Sequence, residues 1–323
     1  MGTDKPLISI LMAIYEPRMD WLREQLESLE AQSYPNLKLY IRDDCSPTVP
    51  YEEIQACVKE CIHSFPYVIA QNEKNLGSNL TFERLTREAE GEYFAYCDQD
   101  DIWLPEKLSV LQSAIEAKQA ELVCSDMYII DETGKQIADS ITHVRRHHVF
   151  VDNTSSAADI LFHNYVTGCT MLARSNAAQR AVPFCPYMVH DWYIAMCCAE
   201  TGKIVTLMRP LIQYRIHHDN QTSVLNGVTD KESYQSARID TPLLRFQWLH
   251  EHFSCCEETR ERISEGIEWL LARQKNWQHG RGKRTIWKYR HFSLIPSLFE
   301  IAANWIPEPL FCLFLSAAKH NLV

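Results

Sequence analysis

With 323 residues, 46% hydrophobic and 23% charged, the chain has an ordinary globular balance, enough for one large α/β domain with an extension or for two domains. A formal net charge of −10 argues against nucleic acid as a partner, because a nucleic-acid binder needs a basic footprint. The 12 cysteines contain no CxxC pair, so reduced thiols of a cytosol are expected rather than a zinc ribbon or a disulfide framework. The first residues lack a basic segment followed by an apolar one, and no run reaches the ~18 apolar residues of a membrane-crossing helix, so a cytoplasmic protein is expected.

In chain order, Leu7-Ile8-Ser9-Ile10-Leu11-Met12-Ala13-Ile14 is a short branched apolar run, expected as a buried strand that ends at Tyr15-Glu16-Pro17. Trp21, Leu22, Leu26 and Leu29 then recur at helical spacing. Residues 37–42 read as the next strand, with Asp43-Asp44-Cys45-Ser46-Pro47 as the loop after it. Ile54, Val58 and Ile62 suggest a second helix, 67–70 a third strand, and Leu80, Phe82 and Leu85 a third helix. Tyr93-Phe94-Ala95-Tyr96-Cys97 is a further strand, and 122–130 another, with a hairpin turn at 131–135. Residues 143–154, rich in His and Arg, read as an exposed loop. Strands alternating with helices imply an α/β fold with a mostly parallel sheet, whose ligands bind beyond the carboxyl ends of the strands. The distinctive residues fall at those ends: Tyr15-Glu16, Asp43-Asp44, Asn75-Leu76-Gly77 and Asp98-Gln99-Asp100-Asp101.

The last of these places three carboxylates within four positions at a strand end. Such a cluster repels itself unless it meets a cation. A divalent metal carrying a diphosphate fits, because Mg²⁺ and Mn²⁺ prefer oxygen ligands. A helix cap at Asp101, before Ile102-Trp103-Leu104-Pro105, explains one acid and leaves the other two unexplained.

Taken together, these segments resemble a family 2 nucleotide-sugar glycosyltransferase of the GT-A fold. Residues 9–15 resemble its opening strand, Arg42-Asp43-Asp44-Cys45-Ser46 its Asp-Asp element, and Asn72-Glu73-Lys74-Asn75-Leu76-Gly77 its Asn-x-Gly loop. Asp98-Gln99-Asp100-Asp101 with Trp103, Leu104, Pro105, Lys107 and Leu108 resembles its DxD region. The form of these motifs, with His190-Asp191-Trp192, is similar to a rhamnosyltransferase-like branch of bacterial polysaccharide synthesis. The resemblance spans about residues 7–225 and implies a catalytic domain over 1–226, followed by a helical extension over 227–323.

The resemblance also implies roles. Asp43 accepts the imide N–H of uracil or thymine, and Asp44 holds the loop or ribose. Asp98 faces the ribose or the metal, Asp100 ligates Mn²⁺ or Mg²⁺, and Asp101 orients the donor sugar. Tyr15, Glu16, Asn75, Gly77 and Gln99 complete the nucleotide-sugar site. Residues 163–172 read as a β-rich segment whose Gly168 floors the acceptor pocket, beside His190 and Trp192. Asp191 is the expected general base, because an acceptor hydroxyl must lose its proton as it attacks the anomeric carbon. Gln213-Tyr214-Arg215-Ile216-His217, expected to follow a final strand at 204–207, supplies Arg215 against phosphate and His217 as a metal contact.

Past about Asn226 the pattern becomes helical. Seven Lys/Arg and no acid lie between Arg273 and Arg290, with Trp277, Trp287 and Tyr289 interleaved and an apolar run following. This suits peripheral contact with the inner face of a cell membrane, the alternatives being a cap on the catalytic domain or a homodimer interface. The expected activity is inverting transfer of rhamnose from a dTDP donor, or of galactose or glucose from a UDP donor, to a glycan or lipid-linked acceptor. The competing readings are a sugar-nucleotide pyrophosphorylase, whose glycine-rich N-terminal phosphate loop is missing here, and a degenerate transferase-like scaffold.

Overall fold

The computed structural model describes residues 5–145, 148–217, 227–303 and 305–321. It divides into two compact units, one of Met1–Ser156, Asn164–Phe184 and Val189–His218, the other of Ala157–His163, Cys185–Met188 and Asp219–Val323.

The first unit is built on a nine-stranded sheet. Its strands are β1 (Ile8–Ile14), β2 (Leu37–Asp43), β3 (Tyr67–Gln71), β4 (Tyr93–Cys97), β5 (Ile102–Trp103), β6 (Leu122–Ile130), β7 (Gln136–Ala138), β8 (Met171–Arg174) and β9 (Ile204–Arg215). The order is β3-β2-β1-β4-β8-β6-β9-β5, with β7 added to β6 as a hairpin. β1 to β4 run parallel; β8 is antiparallel to β4 and β6, and β5 to β9, which makes the sheet mixed. Seven helices accompany it: α1 (Met19–Glu30), α2 (Tyr51–Cys61), α3 (Ser78–Glu88), α4 (Lys107–Ala117), α5 (Ile141–Val144), α6 (Ser175–Arg180) and α7 (His190–Thr201).

The helices form where the apolar spacing demands. Trp21, Leu22, Leu26 and Leu29 are all buried on one face of α1, and Ile54 and Val58 on α2. They close over β1 and β2, whose apolar side chains are almost entirely hidden because both sheet faces are covered. Parallel register sets Ile14 beside Asp43 and Asp43 beside Gln71, and pairs Met12 with Cys97. The loops after β1, β2, β3 and β4 therefore leave the sheet along one edge.

Four sequence expectations change. β9 runs through Arg215 instead of ending near Leu207, so Gln213–Arg215 are strand residues paired with β6 and β5. The segment 163–172 is not a continuous strand: Gly168–Thr170 form a 3₁₀ turn and the strand begins at Met171. Asp101 caps no helix, since Ile102–Trp103 follow it as β5 and α4 starts at Lys107. The stretch 143–154 is neither all loop nor all exposed, because the exposed His143 lies in α5 and Thr154 is buried in a bridge to Ile204; Arg146 and His147 lie outside the described residues.

The second unit is helical: α8 (Lys231–Gln235), α9 (Thr241–His252), α10 (Glu257–His279), α11 (Lys283–Lys288), α12 (Leu294–Ala303) and α13 (Glu308–Asn321). One apolar cluster gathers Val228, Tyr234, Ala303, Phe311 and Leu315. Gly266 of α10 lets Phe246 of α9 approach, for a Cβ at Gly266 would lie 2.1 Å from that ring. Arg273 is buried in an ion pair with Glu300, while Tyr234 Oη donates to Glu300 at 3.0 Å and Asn276 Nδ2 to the Glu300 carbonyl at 2.7 Å. Among the described residues no helix is long and apolar enough to cross a membrane.

Candidate active site

Asp43 closes β2 and is fully buried. Ser46 Oγ donates to it at 2.6 Å and Gln71 Nε2 at 2.8 Å. Asp44 turns to the next loop. It accepts from Asn72 Nδ2 at 2.7 Å and from the backbone N–H of Leu76 and of Gly77, both at 2.8 Å. Gly77 also donates to Asn75 Oδ1 at 2.9 Å and has φ +81°, a conformation that favours glycine and here precedes α3. Asp44 thus fixes the Asn75–Gly77 loop. Gln99 brackets Tyr15, accepting from its N–H at 2.8 Å and donating to its carbonyl at 3.0 Å. Glu16, at φ +46°, accepts from Thr48 N–H at 2.8 Å and from the Thr48 hydroxyl, bonds that hold its carboxyl below the usual range.

The acid loop is held from both sides. Asp101 is fully buried and accepts from the Arg215 N–H at 3.0 Å. Arg215 Nε donates to the Asp100 carbonyl at 2.8 Å, and Asp100 Oδ2 meets His217 Nε2 at 2.7 Å. Arg215, which the resemblance sets against phosphate, lies within the sheet. Its side chain is 1% exposed, and its guanidinium is taken up by Glu24 and by the carbonyls of Asp100 and Asp131, because β9 carries Arg215 into the sheet instead of past it. Arg215 shapes the acid loop from behind.

Asp98, Asp101 and Cys169 bring ligand-type atoms within 4.8 Å of one another. Burial, followed by the carboxylates of Asp100 and Asp191, pushes Asp98 up to about 7. Burial also pushes Asp101 well above the usual aspartate range, with Asp100 and Asp98 adding to it. One Asp101 oxygen, Oδ2, is buried with no hydrogen-bond partner. A divalent cation would relieve both the crowded charge and the unpaired oxygen. Carboxylate oxygens are the ligands that Mn²⁺ or Mg²⁺ prefers, so Asp98 and Asp101 fit such an ion, whereas the Cys169 thiol is a donor that neither favours.

Lys107, named from sequence in the DxD region but given no role there, is fully buried nearby. Its Nζ donates to the Cys169 carbonyl at 2.5 Å and lies 3.1 Å from the Trp103 ring centroid. Burial lowers it to about 7. A lysine in the first turn of a helix ordinarily points to water, and only the tertiary packing reveals this one.

Asp191 sits in the first turn of α7, where helix N–H groups favour a carboxylate. It accepts from the Gly168 N–H at 2.9 Å, from Asn164 Nδ2 at 3.3 Å and from the Trp192 N–H. Burial pushes it up to about 6. Asn164 is a second residue missed from sequence, since a lone Asn in a loop carries no signal. His190 stacks on Phe82 at 4.0 Å and lies 5.4 Å from Tyr96. Burial holds it down to about 3, so the ring is neutral, and its Nε2 is buried without a hydrogen-bond partner. A Cβ at Gly168 would lie 2.9 Å from that nitrogen. Gly168, His190 and Asp191 therefore form one packed group, within electrostatic reach of Asp98.

The family model described as "Glycosyl transferase family 2" matches residues 9–179. The dTDP-rhamnosyl transferase RfbG of Shigella flexneri is 24% identical over 72% of this chain and 78% of its own. An uncharacterized glycosyltransferase of Methanocaldococcus jannaschii is 34% identical over 41% of this chain, and that match spans under half, 45%, of the archaeal protein. Among solved structures, S. aureus TarS 1–349 in complex with UDP-GlcNAc superposes with a TM-score of 0.57 at 14% identity, over 92% of this chain and 89% of that one. A mannosyltransferase from Pyrobaculum calidifontis in complex with GDP-Man and Mn²⁺ gives 0.55 at 13% identity, over 93% and 80%. These likenesses bear out the α/β fold of GT-A type with C-terminal helices. The chain belongs to glycosyl transferase family 2.

Proposed function

We propose that this family 2 member is an inverting, divalent-metal-dependent transferase that builds a bacterial cell-surface polysaccharide at the cytoplasmic face of the membrane. Rhamnose from a dTDP donor is the favoured sugar, supported by the long match to a protein named as a dTDP-rhamnosyl transferase. Galactose or glucose from UDP is the alternative. The acceptor is a hydroxyl of a glycan or lipid-linked chain. Residues 1–226 carry the reaction and 227–323 serve localisation or assembly.

The observation that carries this reading is the buried Asp191, anchored by Gly168 and Asn164 within electrostatic reach of the Asp98–Asp101 cluster. Asp191 takes the proton of the acceptor hydroxyl as the acceptor oxygen bonds to the anomeric carbon. The bond from that carbon to the diphosphate oxygen breaks, and the nucleoside diphosphate leaves from the opposite face, so the centre inverts. Asp98, Asp100 and His217 would hold Mn²⁺ or Mg²⁺, which would supply positive charge against the diphosphate. Asp43 accepts from the base, while Asp44 keeps the Asn75–Gly77 loop in place. His190, a neutral ring beside Asp191, keeps water from one side of the base.

A panel of UDP-, dTDP- and GDP-sugars with Mn²⁺ or Mg²⁺, read as release of nucleoside diphosphate, tests the proposal. Release from one donor, lost on chelation and in Asp100→Ala, is expected. Metal-independent release overturns the metal reading, and a preferred UDP- or GDP-sugar overturns rhamnose.

A further inference from the structure

Among the described residues, eight large apolar side chains that face solvent lie between Trp287 and Phe314. They follow a pattern. On α12, Ser297, Glu300 and Ala303 point inward, while Leu294 and Leu298, four residues apart, share an outer stripe with Ile295. On α13, Phe311 and Leu315 are buried in the apolar cluster, whereas Leu310, Leu313 and Phe314 face out. Trp305, between the helices, is 82% exposed. α13 therefore has one apolar face in the cluster and another in solvent, while α12 buries Ser297, Glu300 and Ala303 and turns its large apolar side chains outward. A surface helix normally turns polar residues outward, and an apolar patch of this extent marks a partner.

Charge says which partner. The sequence from Lys275 to Pro307 has one acid, Glu300, and it is buried against Arg273. That pairing withdraws Arg273 from the basic run. Arg281, Arg284 and Lys288 remain exposed. The cations lie beside the apolar side chains in space: Lys283 Nζ is 5.6 Å from the Trp305 ring and the Arg290 guanidinium 4.4 Å from the Trp287 ring. In a chain of net charge −10 this run is a local reversal of sign along the sequence, with Glu265 and Glu268 of α10 the acids within reach of Lys288. Tryptophan and basic side chains next to apolar helix faces match the boundary between anionic headgroups and acyl chains. The α12 and α13 helices, of 10 and 14 residues, are too short to cross a bilayer at about 1.5 Å per residue.

We propose that the outer faces of α12 and α13, with the cations of α11 and Arg290, form a docking surface that lies in the plane of an anionic lipid bilayer. Leu294, Ile295, Leu298, Leu313 and Phe314 enter the acyl boundary while Lys283, Arg284 and Lys288 meet the headgroups. The surface needs no transferase reaction, so its test is independent of the function proposed above.

The test is co-sedimentation of the full chain with vesicles of phosphatidylcholine, alone or with phosphatidylglycerol added. Binding to the anionic vesicles only, weakened by salt, is expected. Each charge reversal, Arg284→Glu or Lys288→Glu, should weaken it roughly fivefold or more, the equivalent of about 1 kcal/mol per charge. Ile295→Asp with Leu298→Asp should reduce it to the phosphatidylcholine level. All four positions face solvent, and unchanged thermal midpoints show that the variants fold. Wild-type binding by Ile295→Asp with Leu298→Asp would overturn insertion, and so would no binding at all. A dimer in light scattering that dissociates in that same variant, with no vesicle binding, would assign the face to a second copy instead.

Discussion

Asp100 and His217 share a hydrogen bond of 2.7 Å across 117 residues of sequence. The Trp21 ring lies 5.0 Å from the His217 ring, so the imidazole is packed as well as bonded. His217 is proposed as a ligand bonded to another ligand, and removing even an orienting partner typically costs about 10–100-fold in metal affinity. His217→Ala should therefore raise the Mn²⁺ concentration for half-maximal diphosphate release at least tenfold or so, with an unchanged thermal midpoint. Asp100→Ala should abolish the metal response. A wild-type Mn²⁺ titration in His217→Ala would remove the imidazole from the metal's surroundings.

Asp191→Asn should lower transfer by about 10²–10⁴-fold while free nucleotide still binds, as measured by calorimetry. Because burial raises Asp191 to about 6, the wild-type rate should climb with pH and level off above that value. The effect on stability has the opposite sign. Folded Asp191 keeps its proton up to about pH 6, whereas a solvated aspartate ionises near 3.9, so its contribution favours folding at low pH and is lost between about pH 4 and 6. At pH 7 Asp191→Asn should then unfold at a higher temperature than wild type, with the gap closing toward pH 4. A variant both inactive and less stable at pH 7 would argue for a structural carboxylate.

Gly168→Ala would place a methyl 2.9 Å from His190 Nε2 and 3.6 Å from Asp191 Cβ. The His190 ring is stacked on Phe82 and cannot swing away cheaply. A loss of about 1–3 kcal/mol in denaturant unfolding is expected, with slower transfer and unaltered nucleotide affinity. Unfolding at the wild-type midpoint would mean that the histidine has room to move.

In the second unit, Arg273→Met leaves Glu300 buried without its counter-charge. Breaking such a pair from one side costs about 3–5 kcal/mol, so the denaturation midpoint should fall well below wild type. Replacing both partners, Arg273→Met with Glu300→Leu, should recover much of that loss. Equal midpoints for the single variant and wild type would show that water reaches the carboxylate.

The parallel half of the fold was readable because each strand is a short branched run and each helix repeats its apolar residues at helical spacing. The alignment of Asp43, Asn75 and Asp98 at one edge followed from parallel pairing. The partners of those acids were not readable, since nothing in one sequence says which distant loops face each other. The surroundings of Arg215 were hidden for this reason: a strand of four residues, 204–207, was expected where β9 has 12, and the longer strand turns the guanidinium inward. Lys107 and Arg273 look like surface cations in a string of letters. They are buried because a carbonyl at Cys169 and a carboxylate at Glu300 await them.

Among the described residues the short β5 pairs with β9 alone, so Ile102 and Trp103 find their neighbours, Gln213 and Ile212, about a hundred residues downstream. A nascent chain that has emerged only through β8 has its first four strands and the Gln99–Tyr15 bracket, but lacks Arg215 and His217, which hold Asp101 and Asp100. Long-range pairings of this kind form late. During synthesis the donor half therefore matures first, and the chain gains its chemistry only when β9 docks.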